Sequence, residues 1–291
     1  MVKRIVVISL IGNIILSALK LSFGYFGNSQ SLFSDGLNSL SDVLVSALIL
    51  IDLKVAHKKP DKTHPYGHEK FEGVLYLLLS FIILITSLVL FGSGAKTIYE
   101  YIFSNIVPKT PMMVTVYVAI TALIIKLFLY FLNYLSAIKY ESSSLKAETK
   151  NHLFDILATS VSLISIIVSR FGFPYFEGIG TILIAGFVLY AGIKMIIEAI
   201  SYLVDEAPDS ETVKAIIKTI KSVKEVIEID DLKARRHMNR IYVDVEISVL
   251  KELSLMEAHN IAHHVHDIVE NEYNAIHCMV HVNPYLKKQE K

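Results

Sequence analysis

The sequence predicts an α-helical membrane domain of six transmembrane helices, followed by a smaller soluble domain of mixed helices and strands. Two observations support this fold class. The 291-residue chain is 53% hydrophobic, has only 19% charged residues and has a mean hydropathy of +0.50, which is more apolar than a soluble domain of this size. The long apolar stretches also end near Asp205, and charged residues become frequent after it.

Six apolar stretches are long enough to be transmembrane helices, because a helix needs about 20 residues to cross the hydrocarbon layer of a bilayer. They cover residues 5–26, 31–54, 72–98, 112–138, 147–169 and 176–203. Helix-breaking residues separate them, such as Gly27 after the first stretch and Pro174 before the last. The sequence therefore predicts a membrane domain at residues 1–205 and a soluble domain at residues 206–291.

The basic residues of the short connections predict the orientation. One side of the predicted membrane domain holds Lys3, Arg4, Lys54, Lys58, Lys59, Lys62, Lys70, Lys139, Lys146 and Lys150, and the other holds Lys96, Lys109 and Arg170. Because Lys and Arg accumulate on the cytosolic side, we expect both termini in the cytosol and the chain in the cell (inner) membrane. A formal net charge of zero gives no indication of nucleic-acid binding, and no nucleic-acid partner is expected.

The soluble tail alternates between helix and strand patterns. Residues 210–222 and 254–272 have helical periodicity, whereas 225–235, 240–250 and 276–283 are predicted strands. The resulting αββαβ order predicts a small open sandwich with both helices on one face of the sheet, similar to ferredoxin-like or metallochaperone-like domains. Its single cysteine, Cys278, excludes an internal disulfide and a CxxC metal motif.

Polar residues inside two predicted spans are the first candidates for function, because ionisable groups at mid-membrane are costly. The second span carries Asp35, Asn38 and Asp42, and the fifth carries Asn151, His152 and Asp155. Residues four apart share a helix face, and the two Asx pairs lie at similar depth. Together they would present four oxygen-bearing side chains with two negative charges to a divalent cation. The alternative is that the asparagines only join helices by hydrogen bonds.

Other residues of the spans leave two interpretations open. Asp35, one turn nearer the outside, is either an exit ligand or a contact between helices. Lys20 either extends toward the outer interface or neutralises a neighbouring carboxylate. His152 lies three residues before Asp155, so a modest rotation of the fifth helix would bring its imidazole into the site.

Two further groups suit a borderline metal, which favours imidazole and carboxylate ligands. Asp61, His64 and His68 fall within eight residues of a predicted cytosolic loop. The tail concentrates histidines on the second predicted helix and the last strand: His259, His263, His266, His277 and His281. The alternative in both places is a solvated group of histidines.

Five segments of the sequence together resemble the cation diffusion facilitator family of divalent metal efflux proteins. They are SQSLFSDGLNSLSD at residues 29–42, HPYGHEKFE at 64–72, LVDEAPD at 203–209, EAHNIA at 257–262 and HVNP at 281–284. The resemblance covers nearly the whole chain. It implies a homodimeric secondary transporter, not an enzyme, that exchanges metal for protons by alternating access.

The resemblance also implies roles for particular residues. The transport site would consist of Asn38, Asp42, Asn151 and Asp155, and the loop site of Asp61, His64 and His68. A cytosolic-domain site, structural or regulatory, would lie at His259 and His281 near the dimer interface, with His263 close by on the helix. Asp230, Glu246 and Asn283 stand where zinc-transporting relatives often have His, His and Asp. Lys70 and Asp205 match a salt bridge that links the membrane and cytosolic domains across the dimer.

Departures from the zinc-transporting pattern point to the metal. Asparagine replaces the usual histidine or aspartate before Asp42 and the usual histidine before Asp155, so the site presents oxygen ligands only. Oxygen ligands suit Mn²⁺, whereas imidazole favours Zn²⁺. We therefore expect Mn²⁺ first, Fe²⁺ next and Zn²⁺ third, with Asp42 and Asp155 carrying the exchanged protons.

Three alternatives remain at this stage. Zinc or broad-range efflux would follow if His152 joined the site. A membrane-anchored metal sensor would signal through the tail, but it would not need carboxylates at mid-membrane. A membrane metalloprotease would need HExxH, which residues 64–68 lack.

Overall fold

The computed structural model describes residues 2–55, 61–65, 67–68, 70–140, 143–237, 240–273 and 275–286. The first six helices correspond to the six predicted spans. They are α1 (Val2–Phe26), α2 (Gln30–Val55), α3 (Lys70–Phe103), α4 (Met113–Tyr140), α5 (Ser143–Arg170) and α6 (Phe176–Leu203). Among the described residues, all of these except α2 contain a segment both long and apolar enough to cross a membrane. α2 has sufficient length, but polar residues interrupt its apolar sequence.

The tail has the predicted αββαβ order. Its elements are α7 (Ser210–Lys221), β1 (Glu228–His237), β2 (Arg240–Val249), α8 (Leu255–Tyr273) and β3 (Ala275–Pro284). β2 lies in the centre of the sheet, antiparallel to β1 and parallel to β3. Alternate residues of β2, from Val243 to Val249, pack with Ile216 and Ile220 of α7 and Val265 of α8. The period-two pattern of the strand therefore separates a core face from an open face.

The chain divides into two compact units, one of residues 1–55 and 75–196 and another of residues 56–74 and 197–291. In the first unit, α1 packs on α2 and α4, and α5 packs on α2 and α4. Long apolar side chains of α3, among them Leu78, Ile82 and Val89, are exposed, as expected for a helix that faces lipid.

Close helix approaches in the first unit depend on small residues and on polar caps. A Cβ atom added to Gly178 of α6 would lie 2.7 Å from the carbonyl oxygen of Gly94 in α3, so this crossing requires glycine on both helices. The Glu177 carboxylate accepts a hydrogen bond from the Ser31 backbone N–H at 2.8 Å. Glu177 thereby satisfies one of the N–H groups that the first turn of α2 leaves without a helical partner.

Both helices of the tail begin at side-chain caps. Asp209 accepts a hydrogen bond from the Thr212 N–H at 2.9 Å, which holds the pKa of this carboxyl below its usual value. At the start of α8, the Glu257 carboxylate accepts hydrogen bonds from the Ser254 hydroxyl and backbone N–H, at 2.7 and 2.8 Å. These bonds lower the pKa of Glu257, and the arrangement is a capping box.

Candidate metal transport site

Polar side chains of α2 and α5 meet in the interior of the first unit. The Asn38 amide donates a hydrogen bond to Oδ1 of Asp155 at 3.2 Å. Asp42, one turn further along α2, interacts electrostatically with Asp155. Three of the four residues that the sequence predicts for the transport site therefore lie together, on two helices that pack against each other.

The fourth predicted residue, Asn151, does not join them. Its side chain is exposed, whereas the next residue, His152, is fully buried on the face that carries Asp155. One residue corresponds to a 100° turn of a helix, so the rotation of α5 selects between the two side chains. The sequence predicted a site with oxygen ligands only. In the structure, the imidazole of His152 lies where the Asn151 amide was expected.

His152 has the environment of a ligand. Within the described part of the chain, neither of its ring nitrogens has a hydrogen-bond partner. Its Nδ1 lies 3.9 Å from Oδ2 of Asp155. Buried polar atoms without partners are rare in folded proteins and need an explanation, and a metal ion shared with Asp155 would provide one.

A buried lysine of α4 also belongs to this site, and the sequence analysis did not single it out. Lys126 is 0% exposed, and its ammonium group forms an ion pair with Oδ2 of Asp155. The same nitrogen donates a hydrogen bond to Oδ1 of Asn13 on α1 at 2.7 Å. The available signal was a lysine near the middle of the predicted fourth span, where a cation is costly unless it is paired.

Asp35 forms a second buried ion pair. Its Oδ2 lies 2.8 Å from the ammonium of Lys20, and both side chains are 0% exposed. Lys20 also donates hydrogen bonds to Ser39 of α2 and Thr159 of α5, at 3.2 and 2.9 Å. Of the interpretations left open above, the geometry favours Lys20 as the neutralising partner of Asp35 and Asp35 as a contact between helices.

The loop residues come together in the second unit as the sequence predicts. Oδ1 of Asp61 lies 3.5 Å from Nδ1 of His64, and Oδ2 lies 3.3 Å from Nε2 of His68. The backbone N–H groups of Thr63 and His64 donate to Oδ1 of Asp61, which fixes the carboxylate. One ligand atom from each of the three residues can lie within 4.8 Å of the others, close enough for one metal ion.

Lys70 and Asp205 form the ion pair that the resemblance implied, with Nζ 3.2 Å from Oδ1. The structure forms this pair within one chain. Arg235 of β1 approaches the same carboxylate at 3.9 Å. The start of α3 is thereby connected to the end of α6 inside the second unit.

The residues predicted for the cytosolic-domain site separate into two sets. On the open face of the sheet, the Asn283 amide donates to Asp230 at 3.0 Å and to Glu246 at 3.3 Å. His281 pairs in register with Glu246 on the neighbouring strand. His259 and His263 lie on α8, where His263 pairs with Asp267 at 2.9 Å. The structure therefore does not bring these two histidines to the strand residues.

Comparisons with known proteins cover both units. Residues 6–204 match the family model described as the cation efflux transmembrane domain, and residues 208–285 match the cation efflux protein cytoplasmic domain. An uncharacterized transporter of Methanocaldococcus jannaschii is 30% identical over 97% of this chain and 98% of its own. The manganese efflux system protein MneS of Bacillus subtilis is 30% identical over 97% and 95%. The cation-efflux pump FieF of Serratia proteamaculans is 26% identical over 93% and 88%.

Proposed function

Because this chain belongs to the cation efflux, or cation diffusion facilitator, family of membrane transporters, we propose that it exports Mn²⁺ from the cytosol in preference to Fe²⁺ and Zn²⁺. Efflux of a divalent metal is the activity of the family, and its members are transporters and not enzymes. The preference for Mn²⁺ is the finer proposal. It is supported by the ligands described above and by the 30% identity to a manganese efflux protein along 97% of the chain.

The observation that carries the proposal is the group formed by the partly buried Asn38 and Asp42 and the buried Asp155, with His152 beside it. Two carboxylates and an amide supply oxygen ligands, which suit Mn²⁺, and one imidazole is compatible with Mn²⁺ or Fe²⁺. A second candidate function is zinc export, because His152 adds the type of ligand that Zn²⁺ favours. Oxygen atoms remain the majority of the set, which supports Mn²⁺ over Zn²⁺.

The position of Lys126 supports a cation-binding role for the same pocket. Its ammonium group contacts both the Asp155 carboxylate and the Asn13 amide oxygen. A dication that binds Asp42 and Asp155 would be repelled by this ammonium at close distance, so metal binding would favour displacement of the ammonium. We propose that Lys126 exchanges places with the metal in each transport cycle, with Asn13 retaining the displaced ammonium.

The remaining features of the transport cycle are proposals drawn from the family and the sequence. The chain acts as a homodimer, with a membrane domain at residues 1–205 and a cytosolic domain at 206–291. It lies in the cell membrane with both termini in the cytosol, as the distribution of Lys and Arg indicates. It exchanges metal for protons: Asp42 carries a proton in the outward-to-inward step, whereas Asp155, expected from the sequence to do the same, pairs with the Lys126 ammonium in that step.

A competition experiment tests the metal and the ligands together. The protein is reconstituted into vesicles, and uptake of Mn²⁺ is measured with Fe²⁺, Co²⁺ or Zn²⁺ as competitor. We expect Mn²⁺ to be transported best. His152→Ala should reduce transport at least about tenfold, comparable to the loss of a metal-site residue, whereas Asn151→Ala, the matched control one residue away, should stay near wild type.

Two outcomes would contradict parts of the proposal. Zn²⁺ transport faster than Mn²⁺ transport by the wild type would exclude the manganese preference. Loss of transport in Asn151→Ala together with full transport in His152→Ala would restore the oxygen-only site and reject the placement of His152.

A further inference from the structure

Three side chains meet where α8 ends and β3 begins. His266 and Glu270 are four residues apart on α8, and His277 is the third residue of β3. Nε2 of His266 lies 3.3 Å from Oε1 of Glu270, and Nδ1 of His277 lies 3.5 Å from the same oxygen. Both histidines belong to the tail group that the sequence predicts as metal ligands or as solvated side chains, and Glu270 adds a carboxylate that the sequence pattern does not single out.

These separations fit the coordination sphere of one metal ion. Zinc binds nitrogen at about 2.0–2.1 Å, so two ligands of a tetrahedral site lie about 3.3–3.4 Å apart. Both measured distances to Glu270 are close to this value. One ligand atom from each of the three residues can lie within 4.8 Å of the others, so a small rotation of the His277 ring would complete the arrangement.

The backbone of Cys278 fixes two of the three ligands. Its N–H donates to Oε1 of Glu270 at 3.0 Å, and its carbonyl accepts from Nδ1 of His266 at 2.7 Å. A carbonyl only accepts, so Nδ1 of His266 donates this hydrogen bond and Nε2 is the ring nitrogen left for a metal ion. A hydrogen bond of this kind on the second ring nitrogen is typical of metal-binding histidines.

The Cys278 side chain is not a fourth ligand. It is 1% exposed and packs in the core of the tail, and burial raises the pKa of its thiol to about 12. Because successive side chains of a strand point to opposite faces, the thiol lies on the core face of β3, whereas the half-exposed His277 lies on the other face. His266, Glu270 and His277 are 30%, 28% and 52% exposed in their side chains, so water can reach the remaining coordination position.

We propose that His266, Glu270 and His277 bind one Zn²⁺ ion, with water as the fourth ligand. Two imidazoles and a carboxylate select Zn²⁺, Co²⁺ or Ni²⁺ over Mn²⁺. This site differs from the open-face group of Asp230, Glu246, His281 and Asn283 in both its residues and its place on the tail. It does not depend on which metal the membrane domain transports.

Binding at this site would connect two elements of the tail. His266 and Glu270 belong to the last turns of α8, and His277 belongs to the start of β3, so the ion bridges the short connection between them. An ion that binds only the folded tail stabilises it in proportion to the metal concentration. Zn²⁺ in the cytosol would therefore rigidify the tail while Mn²⁺ would not.

Equilibrium binding to the full-length protein tests the proposal, with Zn²⁺ as the probe and Mn²⁺ as a parallel titration. His277→Ala removes one ligand from a half-exposed position, so the core remains intact. His263→Ala is the matched control, because His263 pairs with an acidic residue of α8 in the same way and lies one turn earlier. We expect His277→Ala to bind one Zn²⁺ fewer than wild type, or to bind that ion at least about tenfold more weakly.

Hydrogen exchange of residues 255–286 provides a second measurement. Zn²⁺ should slow exchange there in the wild type and in His263→Ala, and should have no effect in His277→Ala. Equal Zn²⁺ stoichiometry, affinity and exchange protection in wild type and His277→Ala would overturn the proposal. Loss of the ion in His263→Ala would also overturn it, because the ligands would then lie one turn earlier on α8.

Discussion

Lys126 and Lys20 are the two largest side chains that the described structure buries completely. Each contacts an aspartate, but only the partner of Lys126 belongs to the proposed transport site. An ammonium in contact with a metal ligand lowers the affinity of the site for a dication, since it must be displaced first. In the proposed exchange, it would also assist release of the metal by returning to the carboxylate.

Replacement of Lys126 by methionine tests this exchange. We expect Lys126→Met to lower the KM for Mn²⁺ about tenfold or more, because one cation–carboxylate contact no longer competes with the metal, and to lower the maximal transport rate. Lys126→Arg should retain part of the wild-type behaviour. Initial rates in vesicles at several Mn²⁺ concentrations separate the two parameters.

Asn133 provides the control for a purely structural effect. It lies two turns after Lys126 on α4 and donates a hydrogen bond to Ser9 of α1 at 2.9 Å. Asn133→Ala should reduce the thermal stability of the protein without lowering the KM. A KM that is unchanged or raised in Lys126→Met would contradict the exchange of ammonium and metal.

At the scale of elements, the sequence predicted six helices and the αββαβ tail because length, apolarity and periodicity are local properties. The rotation of α5 about its own axis is not determined by the local sequence. Spacing of four residues places Asn151 on the same helix face as Asp155, and spacing of three residues places His152 almost as close to that face. Packing against α2 and α4 therefore decides which of the two side chains is buried. The group of His266, Glu270 and His277 depends in the same way on how the end of α8 meets the start of β3, which no periodicity describes.

The crossing of α3 and α6 gives a prediction about packing. Gly178→Ala would place a methyl group 2.7 Å from the carbonyl oxygen of Gly94, and backbone atoms cannot move aside locally. We expect a loss of about 1–3 kcal/mol of stability, as for other overpacked positions, seen as a lower unfolding temperature in detergent. Gly186→Ala on the same helix is the control, since a Cβ there has no atom within 4 Å. Equal stability of the two variants would show that the crossing tolerates a side chain.

At the scale of the whole molecule, acid should unfold the tail. The pKa values of Asp209 and Glu257 are lowered by hydrogen bonds from Thr212 and Ser254. A carboxyl whose pKa is lower in the folded state stabilises that state above its ordinary pKa, and this contribution is lost as the pH falls through the folded value. Tail stability should therefore decrease below about pH 4.

The single cysteine of the chain allows this to be measured in the intact protein. Cys278 is buried in the tail, so its reaction with 4,4′-dithiodipyridine in urea reports opening of the tail at each pH. The urea midpoint should fall with acid in the wild type and fall less in Asp209→Asn/Glu257→Gln. If acid lowered the urea midpoint equally in both proteins, the two helix caps would not control the acid sensitivity of the tail.

The hydrogen bonds at Cys278 also limit how copies of the chain can associate. Strands at the margin of a sheet recruit strands from other molecules through unpaired backbone groups. On the outer side of β3, the N–H and the carbonyl of Cys278 are both occupied by side chains of α8. Two tails therefore cannot merge into one continuous sheet at this point, and polymerisation by strand addition is blocked there. At this edge, a second copy would have to dock by its side chains instead.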